Sequence, residues 1–372
     1  LPPEPLRVSS AKGAMLQLDD GRSLIDAISS WWVTLHGHSE PSIAAAIAEQ
    51  AQVMEQVIFA NFSHRPAEQL ATRLAACSGL ERLFFSDNGS TAVEVALKIA
   101  WQWWRNQGSD RRRLVAFEGA YHGDTFGAMA VGDRSIFTEP YDDLLFDVAR
   151  VPWPHTHWGD DDVETREAEA LKALETALAV PTAAVILEPL IQGASGMRLV
   201  RPEFLRAVEA LVRTHGALLI ADEVMTGFGR TGALFACRRA GIRPDLMALS
   251  KGLTGGFLPM GGTLASERLY QGFVSEEPLK TFFHGHSFTA NPLGCAAALA
   301  SLDLLEQAPN RYEDFESRHW PHLQALANNP RVKDIRCLGT MAAFELDCGS
   351  TSYLNPVGRQ LQRFCLERGV YI

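Results

Sequence analysis

Along the middle of the chain, apolar residues fall into short uninterrupted runs separated by stretches with helical spacing. Leu83 to Phe85, Leu114 to Phe117, Ala183 to Leu187, Ala217 to Ala221 and Leu246 to Leu249 have strand length, while Ser90 to Trp104 and Phe204 to Thr214 keep apolar residues on one helical face. Short buried strands alternating with helices predict βα units, a mostly parallel sheet and so an α/β fold. Upstream, Asp19-Asp20-Gly21-Arg22 is a turn between two short apolar runs and predicts a hairpin tip. Ile43 to Val57 and Ala67 to Ala76, each following a proline, predict amphipathic helices. Past Asn291-Pro292 a long helix is expected to about Leu305, and Val332 to Ile335 with Met341 to Leu346 read as antiparallel strands. The expected division is a large domain over 31–300 and a smaller α+β domain assembled from 1–30 and 301–372.

Composition narrows the function. With 47% hydrophobic and 21% charged residues over 372 positions, the chain has the balance of a folded enzyme. A net charge of −10, with Arg111, Arg112 and Arg113 as the one dense basic run, argues against a nucleic-acid partner. No stretch approaches the roughly 20 apolar residues that span a bilayer, so no membrane partner and a cytoplasmic location are expected. The cysteines at 77, 237, 295, 337, 348 and 365 form no C-x-x-C pair, which removes a zinc ribbon or disulfide framework from consideration. The chain opens with Leu1-Pro2-Pro3 and stops at Val370-Tyr371-Ile372, and it is expected to be clipped at both ends.

Candidate chemistry sits where the apolar runs end. Leu218 to Ala221 leads into Asp222 and Glu223, and ligands of open α/β sheets bind beyond the carboxyl ends of strands. On that stretch alone, a turn cap and a site carboxylate are equally good readings. Lys251 decides between them, because it follows Leu246 to Ser250 and precedes the glycine-rich Gly252-Leu253-Thr254-Gly255-Gly256. A lysine at a buried strand end is desolvated, which frees its neutral amine to form an imine. Asn88-Gly89-Ser90-Thr91 lies at a strand-to-helix turn, where free N–H groups suit a phosphate or an ordinary cap. Tyr121, just past the strand ending at Phe117, could stack on a flat ring or simply lie beside a turn. A phosphate turn, a stacking aromatic, a strand-end Asp and a strand-end Lys are together what a pyridoxal 5'-phosphate site needs.

Asp222-Glu223-Val224, the run Gly229-Arg230-Thr231-Gly232, and Ser250-Lys251-Gly252 resemble the signature of class III aminotransferases, over nearly the whole chain. Ser29-Ser30-Trp31-Trp32 with His36-Gly37-His38, and Tyr121 to Gly127, resemble the biotin-biosynthetic branch of that class. The resemblance implies fold type I of the pyridoxal-phosphate transferases, with the small domain incomplete here, and a homodimer whose subunits share each site. It implies Lys251 as the Schiff-base lysine, Asp222 on the ring nitrogen, Gly89 and Ser90 on the phosphate, and Tyr121 against ring and substrate. Trp31 would line the substrate pocket. Gly285 would face substrate across the dimer interface, with His286 and Ser287 reaching the phosphate. Some members carry Pro-Thr where this chain has His286-Ser287, and Ser287 keeps the hydroxyl. The implied donor is S-adenosylmethionine, whose sulfonium an indole face attracts, and the implied acceptor is 8-amino-7-oxononanoate. The exchange would be ping-pong through pyridoxamine phosphate. The family's substrate-carboxylate arginine would lie beyond Ile372, and an aromatic segment that helps recognise the acceptor would precede Leu1.

Three other readings compete, one of them a non-catalytic fragment or binding module that keeps the fold, against which the intact Lys251 and Asp222 count. Another class III ω-aminotransferase, acting on ornithine, 4-aminobutyrate or a β-amino acid, or an aminomutase, is set aside by the tryptophan pair. A relative using lysine as donor stays open, because donor choice can rest on residues outside these motifs. The pairs His36/His38, His155/His157 and His284/His286 raise a metal hydrolase, although no carboxylate or cysteine stands beside them at ligand spacing.

Overall fold

The computed structural model describes residues 5–308, 310, 312–349 and 355–372. Its centre is a seven-stranded sheet, running in spatial order Arg82–Ser86, Gly261–Ala265, Leu246–Leu249, Leu218–Asp222, Thr182–Leu187, Arg113–Phe117 and Ala149–Val151. Gly261–Ala265 is antiparallel to both of its neighbours, and the remaining pairings are parallel. The predicted α/β architecture is therefore present, with one reversed strand.

The central strands are apolar on both faces because both are covered. Leu218 to Ala221 are fully buried, as are Leu246, Ala248 and Leu249. One face packs on the helix Gly89–Asn106 through Val93, Ala96, Leu97 and Ala100. The other packs on Pro202–Thr214 through Phe204, Leu205 and Val208. This double cover explains why the strands read as continuous apolar runs without alternation.

Helix ends follow local chemistry. Gly89–Asn106 starts on Asn88, whose side chain accepts from the Thr91 amide while Thr91 reciprocates, a capping box. The early helix predicted to Val57 runs only over Pro41–Val53, because Met54 is already extended at φ −169°. The hairpin predicted around Asp20 forms between Met15–Leu18 and Ser23–Asp26. A four-stranded sheet joins that hairpin to Val8–Lys12 on one side and Val370–Tyr371 on the other, with Val370 paired to Ile25. Val332–Leu338 and Met341–Leu346 pair antiparallel, as predicted. Among the described residues no helix is long and apolar enough to cross a membrane.

Candidate active site

The two residues singled out first stand on adjacent strands. Leu218–Asp222 and Leu246–Leu249 run parallel with Asp222 opposite Ala248, so Asp222 and the turn at Lys251 emerge at the same carboxyl end of the central strands. Lys251 starts a 3-10 turn at φ +43°, left-handed for a non-glycine residue. Burial drives its amine below the usual lysine range, against the nearby Asp222 and Glu188 charges, which oppose the shift. Its Nζ lies 5.1 Å from the centre of the Trp32 ring.

Asp222 is 4% exposed. Its Oδ2 is 2.7 Å from Nδ1 of His122, and its Oδ1 accepts the Val224 amide at 3.0 Å. His122, which sequence reading quoted only within a motif, is equally buried, and its Nε2 has no partner among the described residues. A second buried carboxylate was missed entirely. Glu188 accepts the Tyr121 amide and the Gly193 amide, each at 3.0 Å. Burial pushes it up to about 7; the His122 charge works against that shift and Asp222 adds to it. Glu188 closes the strand Thr182–Leu187, so the strand-end rule that found Asp222 applies to it as well.

Tyr121 is held by its backbone on Glu188, while its hydroxyl donates to Asp124 at 3.0 Å. Burial and the Asp124 charge raise the phenol to about 12. Gly89 is the first residue of its helix. A Cβ there would stand 2.6 Å from Cγ1 of Val224, so only glycine lets the helix start approach the Asp222 strand end. The amides of Gly89 and Ser90 precede the capped Thr91 amide and have no acceptor within the helix, an arrangement that could hold an anion. The Ser90 hydroxyl meets Thr125 Oγ1 at 2.7 Å, which in turn reaches Glu94.

The tryptophans divide. Trp32 packs toward the core and lies near Lys251, whereas Trp31 is 70% exposed. Trp32 also lines a 740 Å³ cavity with Asp26, Phe228, Arg230 and Tyr312. Arg230 is 8% exposed, and burial pulls its guanidinium down to about 10. The predicted interface loop lies against its own chain's phosphate turn: His286 Nδ1 is 3.2 Å from Asp87, and the Ser287 carbonyl accepts from Gln56. Gly285 is exposed with open space around it. Among the described residues no three His, Cys, Asp or Glu side chains, those of the H-x-H pairs included, could hold a metal.

The family model for class III aminotransferases matches residues 2–372. The adenosylmethionine-8-amino-7-oxononanoate aminotransferase of Synechococcus elongatus is 57% identical over 373 residues, covering 100% of this chain and 88% of that protein. Among solved structures, the enzyme of the same name from Methanocaldococcus jannaschii superposes with a TM-score of 0.91 at 31% identity, covering 99% of this chain and 86% of that one. An amine transaminase from an uncultivated Pseudomonas species, solved with pyridoxal phosphate bound, gives 0.93 at 30% identity, over 100% and 89%.

Proposed function

Since the chain belongs to the class III aminotransferases, enzymes that depend on pyridoxal phosphate, we propose that it transfers the amino group of S-adenosylmethionine to 8-amino-7-oxononanoate. The product would be 7,8-diaminononanoate for biotin synthesis. The observation that carries this reading is the convergence of Asp222, Lys251 and Trp32 at the carboxyl end of two central strands.

The residues present fit the cofactor. Asp222, buried and 2.7 Å from His122, would hold the ring nitrogen. The Gly89 and Ser90 amides suit its phosphate, and the missing Cβ of Gly89 keeps that helix start close to Asp222. When bound, pyridoxal phosphate supplies an electron sink for the substrate carbon that exchanges its amine.

Lys251 then serves as attachment point and proton carrier. Its lowered pKa gives a neutral amine nearer to physiological pH, able to take a proton from the substrate carbon and return it. Tyr121, fixed through Glu188 and Asp124, covers one face of the site. The Trp32 face attracts cations, which favours a sulfonium-bearing donor over a neutral one. We assign the exposed loop Gly285-His286-Ser287 to the partner's site in a homodimer, and we take 1–30 and 301–372 as one small domain beside a large domain over 31–300. The pairing of Val370 with Ile25 supports that division. A cytoplasmic location goes with this reading.

The test is spectroscopic. Purified protein mixed with pyridoxal phosphate should show the visible band of bound cofactor, absent in Lys251→Ala, and S-adenosylmethionine should bleach it. Steady-state rates with both substrates should give parallel double-reciprocal lines. A band that ignores S-adenosylmethionine but responds to lysine would reassign the donor.

A further inference from the structure

Ser29, Ser30, Trp31 and Trp32 have φ of 49°, 48°, 62° and 64°. Four successive non-glycine residues thus form a left-handed turn, in which each Cβ crowds the following carbonyl oxygen. Such a run persists only where its surroundings over-determine it. Within the turn, the Trp32 amide donates to the Ile28 carbonyl at 2.9 Å, and the Val33 and Thr34 amides donate to the Ser29 carbonyl at 2.9 and 3.1 Å. Outside it, Arg230 donates to the Trp32 and Thr34 carbonyls and, at 3.4 Å, to the Ser29 hydroxyl.

The remaining hold is Asp26. Its Oδ2 accepts the Ser30 hydroxyl at 2.7 Å and meets His38 Nε2 at 2.9 Å. The Asp26 side chain is 1% exposed. It ends the strand Ser23–Asp26, and its own amide is fixed on the Ala14 carbonyl at 2.8 Å. His38 is anchored in turn, because its backbone exchanges hydrogen bonds with Gly13 at 2.8 and 3.0 Å. Asp26 is therefore a rigid post at Ser30, between the contacts that Arg230 makes with Ser29 and Trp32.

We propose that Asp26 is a positioning residue for the tryptophan pair: through the Ser30 hydroxyl it keeps the turn left-handed, which sets Trp32 beside Lys251 and turns Trp31 outward. A right-handed turn would reverse the rotation from one side chain to the next, so the two indoles could not both keep these directions. The use of the indoles as a substrate surface rests on the function proposed above; the clamp itself rests on the geometry alone.

Amide hydrogen exchange at Trp32, Val33 and Thr34 reads the turn directly. Ser30→Ala removes the hydroxyl and keeps the strain, and exchange should quicken roughly three- to tenfold, the worth of one hydrogen bond. Ser30→Gly loses the same bond but relieves the strain, so it should exchange more slowly than the alanine variant, reversing the usual order of these two residues. Asp26→Ala should follow Ser30→Ala, and Asp26→Asn, which retains an acceptor, should restore most of the protection. In steady state Ser30→Ala should raise KM for both substrates and leave kcat nearly unchanged. Exchange in the glycine variant as fast as in the alanine variant, or an unaltered KM, would overturn the proposal. Inactivity of the unmodified protein toward this substrate pair would instead refute the reaction, and the exchange order would still decide the clamp.

Discussion

The imidazole of His122 and the carboxylate of Asp222 meet at 2.7 Å with both side chains withdrawn from water. A buried carboxyl group left without such a partner is costly. Replacing His122 with Phe should cost about 1–3 kcal/mol by leaving that acceptor unsatisfied. It should also weaken pyridoxal phosphate binding, since the Asp222 carboxylate would lose the partner that fixes its orientation toward the ring nitrogen. Urea unfolding and a cofactor titration followed by absorbance measure the two effects separately.

Glu188 gives a pH dependence of definite sign. Its folded value of about 7 stands above the ordinary 4.5, so between these the folded state holds the proton that the unfolded chain releases. Its contribution is therefore complete at low pH and is lost as pH rises through that window, by about 3 kcal/mol in all. The difference in unfolding free energy between Glu188→Gln and the parent should grow in the variant's favour from pH 4.5 to 7. A flat difference would mean that Glu188 is ionised throughout.

Lys251 should show the opposite slope. Its folded pKa lies below the ordinary 10.5, so the unfolded chain binds the proton more tightly and stability rises with pH across the gap. Lys251→Met should stabilise the cofactor-free protein at neutral pH, with an advantage that shrinks as the solution is made alkaline. Thermal melts of both proteins over that range are sufficient.

Gly89→Ala would press a methyl group into Val224 at 2.6 Å. A loss of about 1–3 kcal/mol is expected, together with a weaker hold on the cofactor phosphate. Shortening the obstacle with Val224→Ala should recover much of both. Failure of the double variant to recover would show that the clash lies elsewhere.

Strands, helices and the strand-end pair were legible because each depends on local pattern. Asp222 and Lys251 follow apolar runs, and continuous runs belong to sheets covered on both faces. His122 was not legible as the partner of Asp222, since 100 residues separate them and only the packed sheet brings them together. Glu188 carried the same strand-end signal as Asp222, following the apolar run Ala183 to Leu187, and its burial comes only from the packed structure. The tryptophan pair exposed another boundary: period-based reading assumes right-handed geometry, and the turn Ser29–Trp32 has the other hand, so which indole would face Lys251 could not be foretold. The contact of His286 with Asp87 was not legible either, since about 200 residues separate them and only the folded chain brings them together.

The pairing of Val370 with Ile25 also bears on how the molecule is made. During synthesis the hairpin Met15–Leu18 and Ser23–Asp26 emerges early, yet one of its edges stays open until residue 370 has left the ribosome. The large sheet, whose strands all fall between residues 82 and 265, can close in the meantime. That ordering makes the outer sheet the late, high-contact-order step of folding and leaves its unpaired edge as the place where a stalled chain is most prone to join another.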